Sequence, residues 1–411
     1  MSVFAAVMTG KGTGAIATIQ LYGNSAADIL RQILPPQPQK PVEFTTGKIL
    51  LATIQSGNKT IDQVTIGCEA DNTFAINCHG NPLIVEEIMQ LLRQYGVELL
   101  TSEQFLCKTS TDNNTIALEA KLTLPKIKTI EGTRIILNQI DSGPEPPWFR
   151  AGLTASAENW LQNPLETIAD EAQTILDKSK IAKLIVFGCR IVLAGPPNTG
   201  KSTLLNQLCG RQKAIVADIK GTTRDWVSAN CQIGSLAIEL IDTAGLDDKV
   251  ASDIDKAAQQ KTTELINQAD IILLVLDNSE PVNQIDKSFT DILANKKMLT
   301  VLNKSDLPFA AQRKNGLPSF LKTENMPDAI SISAKFGSGI DYLCDEIKQL
   351  AGVENFDPNQ PVCFTARQEQ LLTQLSKAKS KEVAHTLITE LLSGPLNNDY
   401  CTNNVIARSP D

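Results

Sequence analysis

The sequence has few aromatic residues, very little histidine and no long apolar run. Of its 411 residues, 5% are aromatic and two are histidines. No apolar stretch approaches the ~18 residues that a membrane-spanning helix needs. The start of the chain lacks the basic residues and the longer apolar core of a secretory signal. We therefore expect a cytoplasmic protein that neither spans a membrane nor is exported.

The chain also lacks an excess of basic residues and any Cys-x-x-Cys pair. Its net charge of −8 argues against broad, non-specific binding to nucleic acid, although a shaped basic patch for RNA is compatible with it. We interpret most of the nine scattered cysteines as reduced core thiols, with a redox or metal role as the alternative. The hydrophobic fraction of 42% and the length predict an ordinary globular protein of two or three domains.

Hydrophobic patterning divides the chain into four segments. Residues 1–112 alternate strand-like and helix-like stretches, which predicts a small α/β domain. Residues 113–186 and 353–411 are mainly helical, with a proline-rich break at 142–147. Residues 187–352 alternate buried apolar strands with helices, and this pattern predicts a parallel-rich sheet with helices on both faces. The expected fold is therefore α/β, with one such domain inserted in a helical domain.

Individual elements are predicted where apolar periodicity is clear. The expected strands are Ala15–Leu21, Lys48–Ile54, Ala75–Cys78, Arg190–Ala194, Leu236–Ile241, Ile271–Asp277, Leu299–Asn303 and Ala329–Ser333. The expected helices include Pro82–Tyr95, Lys201–Cys209 and Gly339–Leu350. From about residue 361 the chain is expected to be helical as far as Ser393 and irregular after it.

Short polar clusters follow several of these strands in a fixed order. They are Gly195–Ser202, Gly221–Asp225, Asp242–Gly245, Asn303–Asp306 and Ser333–Lys335. One such cluster could arise by chance, but the order and spacing of all five are typical of a guanine-nucleotide site. Together they predict GTP and Mg²⁺ as ligands and hydrolysis of the terminal phosphate as the reaction.

The first cluster matches the phosphate-loop pattern Gly-x-x-x-x-Gly-Lys-Ser/Thr between a strand and a helix. Gly195 and Gly200 allow the backbone to turn its N–H groups toward phosphate, and the helix N-terminus favours the negative charge. We expect Lys201 to bridge the β- and γ-phosphates and the Ser202 hydroxyl to ligate Mg²⁺. A glycine-rich turn without a ligand is the alternative.

Two further clusters are expected near the metal and the γ-phosphate. Asp242 closes a strand and places a carboxylate beside the metal, and the backbone N–H of Gly245 can sense the γ-phosphate. Thr223 is expected to give Mg²⁺ a second hydroxyl only when the γ-phosphate is present. In isolation these clusters would be an acidic turn and a charged surface loop.

The last two clusters are expected to bind the base. The Asp306 carboxylate can accept from guanine N1–H and N2–H₂, whereas adenine has no donor at N1. The Lys304 stem can cover the face of the base while Asn303 fixes the loop, and Ser333–Lys335 can offer a backbone N–H to guanine O6. These features favour GTP over ATP.

The residue after Asp242–Gly245 is Leu246 rather than a glutamine able to orient the attacking water. Another group must therefore act in its place. Asn198, together with backbone carbonyls from 217–222, can hold a monovalent cation near the β–γ bridge, where it would neutralise transition-state charge as an arginine finger does.

Several stretches resemble the MnmE/TrmE family of tRNA-modification GTPases. The most specific is Arg211–Asp225, together with Asn198 and the Asp-Thr-Ala-Gly-Leu sequence. Thr13–Gly23 is similar to the glycine-rich first strand of the family, and Cys78–Pro82 to its His-Gly-Gly-Pro turn. The similarity spans the N-terminal domain, the helical middle and the inserted GTPase domain, and is strongest in the last.

The resemblance implies a homodimer formed through the N-terminal domain, and a helical domain built from segments on both sides of the GTPase domain. It implies stimulation by K⁺, with Asn198, Thr222 and the carbonyls of Ala217 and Ile219 as ligands. It also implies a flavoprotein partner, with which the family modifies wobble uridines of tRNA, and a folate one-carbon donor held by the N-terminal domain. The catalytic carboxylate of the family lies beyond Asp-Thr-Ala-Gly, where Asp255 is the candidate.

Taken together, the motifs and the resemblance give one set of expected contacts. The nucleotide and its cations are expected at Asn198, Thr199, Gly200, Lys201, Ser202, Thr203, Ala217, Asp218, Ile219, Lys220, Gly221, Thr222, Thr223, Asp242, Thr243, Ala244, Gly245, Asn303, Lys304, Asp306, Ser333, Ala334 and Lys335. The expected catalytic residues are Lys201, Thr223 and Asp255.

The chain departs from the family pattern in regions tied to folate and tRNA. It ends in Ile406–Asp411 rather than in a Cys-Ile-Gly-Lys tail, and Cys401 has different neighbours. Gln20 stands where an arginine is expected, and the helical middle is short. An alternative hypothesis is therefore a diverged GTP-dependent switch without tRNA-modifying activity. His79 is expected to hold a turn, with contact to folate as the alternative.

Overall fold

The computed structural model describes residues 2–10, 12–35, 43–57, 59–110, 114–140, 152–211, 226–243, 263–280, 296–308 and 329–396. They form two compact units, one with residues 2–118 together with 395 and 396, the other with residues 119–394. Across these ranges no helix has the length and apolarity needed to cross a membrane.

The first unit is built on a mainly antiparallel sheet. Its strands are β1 (Phe4–Val7), β2 (Ile16–Tyr22), β3 (Ile49–Ser56), β4 (Lys59–Ala70), β5 (Thr73–His79) and β6 (Glu98–Leu99). They lie in the order β3-β4-β5-β2-β1-β6, and the β1–β6 pair is parallel. Along β2, Ala17, Ile19 and Leu21 are buried while the residues between them are partly exposed. This period of two gives the sheet one core face.

Helices cover that core face. They are α1 (Ala26–Ile33) and α2 (Pro82–Gln94), and α3 (Ser102–Thr109) follows them in the chain. Leu30 of α1 and Ile88 of α2 belong to the same buried cluster as Phe74 of β5. The sequence therefore correctly predicts a small α/β domain at this end of the chain.

The second unit combines a helical part with a sheet-based part. It begins at Glu119 within α4 (Thr115–Thr123), and a 3-10 turn follows at Leu124–Lys126. The helices after this turn are α5 (Ile130–Asn138), α6 (Leu153–Trp160), α7 (Leu165–Phe187), α8 (Lys201–Arg211), α9 (Ile340–Ala351), α10 (Ala366–Leu375) and α11 (Lys381–Ser393). The expected long helical runs are broken at Pro125 and Pro164, because proline cannot donate a helical hydrogen bond.

A fully buried glutamate joins the helical segments that precede and follow the sheet-based part. Glu119 accepts hydrogen bonds from Arg367 Nε at 3.0 Å and Nη2 at 2.9 Å, from Thr365 Oγ1 at 2.8 Å and from Gln368 Nε2 at 2.7 Å. Arg367 also donates to carbonyl oxygens at the end of α11. A buried carboxylate needs such compensation, so this network ties distant parts of the chain into one helical body.

The sheet-based part leaves and rejoins the helical part at neighbouring points. It begins directly after α7 and ends with α9 at Gly352. Gly352 has a φ of +79° and lies so close to α7 that a Cβ there would be 3.1 Å from Ile181 Cδ1. The sheet-based part therefore ends against the same helix from which it starts.

The sheet of this part is parallel apart from one edge strand. Its strands are β7 (Cys189–Ala194), β8 (Trp226–Ile233), β9 (Leu236–Thr243), β10 (Ile271–Asp277), β11 (Met298–Asn303) and β12 (Ile330–Ser331). Their order is β12-β11-β10-β7-β9-β8, with β8 antiparallel to β9. All residues of β10 and β11 are buried, as expected of strands covered on both faces. The predicted fold class is confirmed, and the carboxyl ends of the parallel strands meet at one edge.

Most cysteines among the described residues lie in the core, as expected for structural thiols. Six of the eight described cysteines are buried, and none of the eight forms a disulfide bond. Burial, with the nearby Asp62 carboxylate, raises the pKa of the Cys78 thiol to about 11. No group of three His, Cys, Asp or Glu side chains arranged for a metal ion occurs among the described residues. Cys401 lies outside them.

Candidate nucleotide-binding site

The phosphate loop lies between β7 and α8, and two glycines determine its path. Gly195 has a φ of +137° and Gly200 a φ of +93°, values that favour glycine. A Cβ on Gly195 would collide with the Val275 carbonyl oxygen in β10, and one on Gly200 with the side-chain amide of Asn303. The loop therefore packs tightly on β10 and β11, and no residue larger than glycine fits at positions 195 and 200.

Lys201 starts α8 and is buried beneath this loop. Its Nζ donates to the carbonyl oxygens of Gly195 at 3.0 Å and Pro196 at 2.8 Å. The Thr199 hydroxyl also donates to the Pro196 carbonyl, at 3.0 Å. A buried ammonium at a helix N-terminus makes this loop strongly attractive to phosphate oxygens.

Ser202 and Asp242 come together beside the loop. The Ser202 hydroxyl donates to Asp242 Oδ2 at 2.5 Å, and strand register places Asp242 opposite Leu193 at the end of β7. The next residue, Thr243, donates its hydroxyl to the Leu193 carbonyl at 2.9 Å. Asp242 Oδ1 is buried and has no hydrogen-bond donor among the described residues. A hydroxyl and an unsatisfied carboxylate oxygen are ligands that suit Mg²⁺.

Asn303, the last residue of β11, connects the phosphate loop to the segment after β12. Its Nδ2 donates to the Thr199 carbonyl at 2.8 Å, and its Oδ1 accepts from the Ala334 N–H at 2.9 Å. The Ser333 hydroxyl in turn donates to Asp306 Oδ1 at 2.6 Å. Clusters separated by more than 100 residues in sequence thus form one pocket.

Lys304 has a left-handed backbone conformation, with φ of +62°, which is uncommon for a residue other than glycine. Its Nζ lies 2.6 Å from Asp277 Oδ2, at the end of the neighbouring strand. Burial raises the pKa of the Asp277 carboxyl, but hydrogen bonds from Lys304 and Ser279 outweigh burial and lower this pKa below its usual value. Sequence patterning missed Asp277 because it looked like the end of an apolar strand.

Asn198 also has a left-handed backbone, with φ of +61°, and its side chain is exposed at the tip of the phosphate loop. Thr203 is exposed on α8, and Lys335 is exposed with its Nζ 5.2 Å from the centre of the Phe336 ring. The structure brings Lys201, Ser202 and Asp242 together on one side and the clusters predicted to bind the base on the other.

Part of the expected site lies outside the described residues. These predicted positions are Ala217, Asp218, Ile219, Lys220, Gly221, Thr222, Thr223, Ala244, Gly245 and Asp255. Their roles in binding potassium, in the second hydroxyl ligand to Mg²⁺ and in catalysis therefore stay predictions.

His79 ends β5 in the first unit and is held by a buried aspartate. Its Nδ1 lies 2.7 Å from Asp62 Oδ1, and its backbone N–H donates to Asp62 Oδ2 at 2.8 Å. The next residue, Gly80, packs against the Gly14 backbone, where a Cβ would collide with the carbonyl oxygen. These contacts give His79 a place in a tight turn, the role that the sequence favours.

The fold and this pocket define a P-loop GTPase. The family described as "50S ribosome-binding GTPase" matches residues 190–304, and the family described as "GTP-binding protein TrmE N-terminus" matches residues 3–105.

Relatives match over nearly the whole chain. The tRNA modification GTPase MnmE of Streptococcus thermophilus is 31% identical over 386 residues, covering 84% of this chain and 80% of that protein. The protein of the same name from Lacticaseibacillus paracasei is 29% identical, covering 92% of this chain and 88% of its own. The chain belongs to the MnmE family of tRNA modification GTPases, and it binds and hydrolyses GTP.

Proposed function

We propose that this chain uses GTP hydrolysis to drive the modification of wobble uridines in tRNA. The observation that carries the proposal is the pocket built around Asn303, which links the phosphate loop at Thr199 with the base-binding segment at Ala334. The similarity over most of the chain to proteins named tRNA modification GTPase supports the role in tRNA. Because tRNA is its substrate, we place the protein in the cytoplasm.

Within this pocket each residue has a proposed role. Lys201 binds the β- and γ-phosphates, Asp306 accepts from the guanine edge, and the Ser333–Lys335 segment offers a backbone N–H to guanine O6. Ser202 and Thr223 ligate Mg²⁺, with Asp242 beside it. When bound, Mg²⁺ would neutralise charge on the phosphate oxygens. The short Ser202–Asp242 contact and the unsatisfied Asp242 Oδ1 support this assignment.

We also propose stimulation by K⁺. The Leu246 side chain has no polar group that could orient the attacking water, so another group must lower the barrier. A cation at the β–γ bridge would do so by neutralising transition-state charge. Asn198 is at the tip of the phosphate loop in a left-handed conformation and is the described member of the proposed ligand set. The other members are Thr222 and the carbonyls of Ala217 and Ile219, and Asp255 is the candidate catalytic carboxylate.

The remaining proposals concern partners. They are tRNA, a homodimer formed through the first unit, a flavoprotein partner and a folate as one-carbon donor, and the similarity to the TrmE N-terminus and to proteins named tRNA modification GTPase supports them. In the first unit, Asp62 already engages the backbone and Nδ1 of His79, so any contact of this side chain with folate would use the other ring nitrogen.

Nucleoside mass spectrometry tests the proposal. We expect a strain without this gene to lose the modified wobble uridines and the wild-type gene to restore them. A gene carrying Lys201→Ala should fail to restore them, because the phosphates would lose their buried cation. Unchanged nucleosides in the deletion strain would instead favour a GTP-dependent switch without tRNA-modifying activity.

A further inference from the structure

We propose that Asp277 is a positioning residue for guanine binding. It holds the Lys304 ammonium at the end of β10 so that the lysine stem forms a fixed lid over one face of the purine. The inference rests on the base site proposed above, and it assigns a role to a residue outside the five polar clusters of the sequence.

The geometry starts from the location of Lys304. It lies between Asn303, whose side chain bonds to the phosphate loop, and Asp306, whose carboxylate accepts from Ser333. Both neighbours are therefore tied to the pocket. The left-handed backbone at Lys304 directs the chain between them, and the side chain remains 34% exposed. A long apolar stem in this place can cover a flat ring while its charged end reaches another partner.

Asp277 is that partner, and it is itself held in place. It is the last residue of β10 and pairs in register with Asn303 of β11. Its side chain is only 6% exposed, and Oδ1 accepts from the Ser279 N–H at 2.8 Å and the Ser279 hydroxyl at 2.7 Å. Oδ2 then faces Lys304 Nζ at 2.6 Å. The carboxylate therefore has one orientation, and this orientation fixes the end of the lysine.

This pair differs from an ordinary surface ion pair. Lys348 and Asp345 in α9 lie 2.7 Å apart, but Asp345 is 62% exposed, and pairs of that kind contribute little because water competes for both charges. Asp277 is shielded from water, so its attraction for the ammonium is less screened. A lysine that is already held in its bound conformation loses less conformational freedom when the base arrives, and this raises affinity.

Nucleotide binding to the full-length protein tests the assignment. We expect Asp277→Asn, which keeps the shape and the Ser279 contacts, to weaken binding of both GDP and IDP by the same factor of about 5 to 20. The factor should be equal because the two bases share the face that the lysine covers and differ only at the edge that Asp306 binds. The KM for GTP should rise by a similar factor, while kcat at saturating GTP changes by less than about twofold.

Asp345→Asn is the matched control, because it removes the carboxylate of an exposed pair in the same domain and should alter neither constant. Lys304→Met should weaken binding as well, and the double variant Asp277→Asn/Lys304→Met should bind no more weakly than the worse single variant. Additive losses, a loss confined to GDP, or wild-type affinity in Asp277→Asn would overturn the role of Asp277.

Failure of the underlying base site would be recognised separately. If Asp306→Asn leaves the preference for guanine over xanthine nucleotides unchanged, the base site itself is misplaced. If Asp306→Asn alters this preference while Asp277→Asn binds GDP and IDP like the wild type, only the positioning role of Asp277 is lost.

Discussion

The side chain of Asn303 donates to the Thr199 carbonyl at 2.8 Å, and this bond joins the loop after β11, the proposed base-binding loop, to the phosphate loop. Both groups are buried, and the other end of the same amide accepts from Ala334. One planar amide thus holds the phosphate and base sides of the pocket at a fixed separation. Under the proposed site assignment, this one side chain couples the loop that binds phosphate to the loop that binds the base.

Replacement of this amide should weaken the whole nucleotide. In Asn303→Ala, the Thr199 carbonyl and the Ala334 N–H lose their partner, so we expect affinity for GDP and GTP to fall by about 10- to 100-fold. Titration with a fluorescent GDP analogue measures the change. Asn230→Ala removes an exposed asparagine from the edge strand β8 and should bind GDP like the wild type. Unaltered affinity in Asn303→Ala would contradict the linking role.

Potassium should act through Asn198. We expect wild-type GTP turnover to be at least about tenfold faster in potassium than in sodium at equal ionic strength, and Asn198→Ala to remove that difference. Release of inorganic phosphate gives both rates. The exposed Asn206 on α8 supplies a control, since Asn206→Ala should keep the potassium effect. Equal wild-type rates in the two salts would eliminate the cation proposal.

The base preference should depend on Asp306. Xanthine has an oxygen where guanine has its amino group, so an amide at this position can donate where the carboxylate accepts. We expect Asp306→Asn to shift preference from GTP toward XTP by about 100-fold or more. Comparison of kcat/KM for the two nucleotides measures the shift, and turnover of XTP by the variant shows that the protein is folded. A variant that still prefers GTP would show that Asp306 does not bind the base edge.

The helical part should be destabilised by loss of the buried charge at Glu119. In Glu119→Gln, the nearly buried Arg367 keeps its charge without a counter-ion, and we expect a loss of about 3–5 kcal/mol in the free energy of unfolding. Calorimetry should show a lower transition temperature. Glu131→Gln removes the acid of an exposed Glu–Arg pair and should cost less than about 1 kcal/mol. Similar transitions in the two variants would mean that the buried pair does not stabilise this part.

The central strands of the GTPase part could be predicted because they are apolar over their whole length. Ile271–Asp277 was expected as a strand and has these bounds in the structure. Lys59–Ala70 was not expected, because Asp62, Gln63 and Gly67 interrupt its apolar pattern. The antiparallel edge strand β8 is missed for a similar reason: its polar residues interrupt the apolar run, because an antiparallel strand can face water on one side.

The polar clusters of the site were visible because a nucleotide requires particular side chains at particular spacings. Asp277 and Glu119 could not be found in this way. The contact of Asp277 with Lys304 depends on β10 and β11 being neighbours, and the partners of Glu119 lie more than 200 residues away in the chain. Such contacts are set by the order of strands and the packing of helices, which local sequence patterns do not encode.

The contact between Gly352 and Ile181 suits the GTPase part to insertion into, and removal from, the helical part. Since the GTPase part ends against α7, the same helix from whose C-terminus it starts, a glycine linker between residues near 187 and 353 could replace it while the surrounding helices keep their partners. A module attached in this manner can be acquired, exchanged or deleted during evolution without disrupting its host.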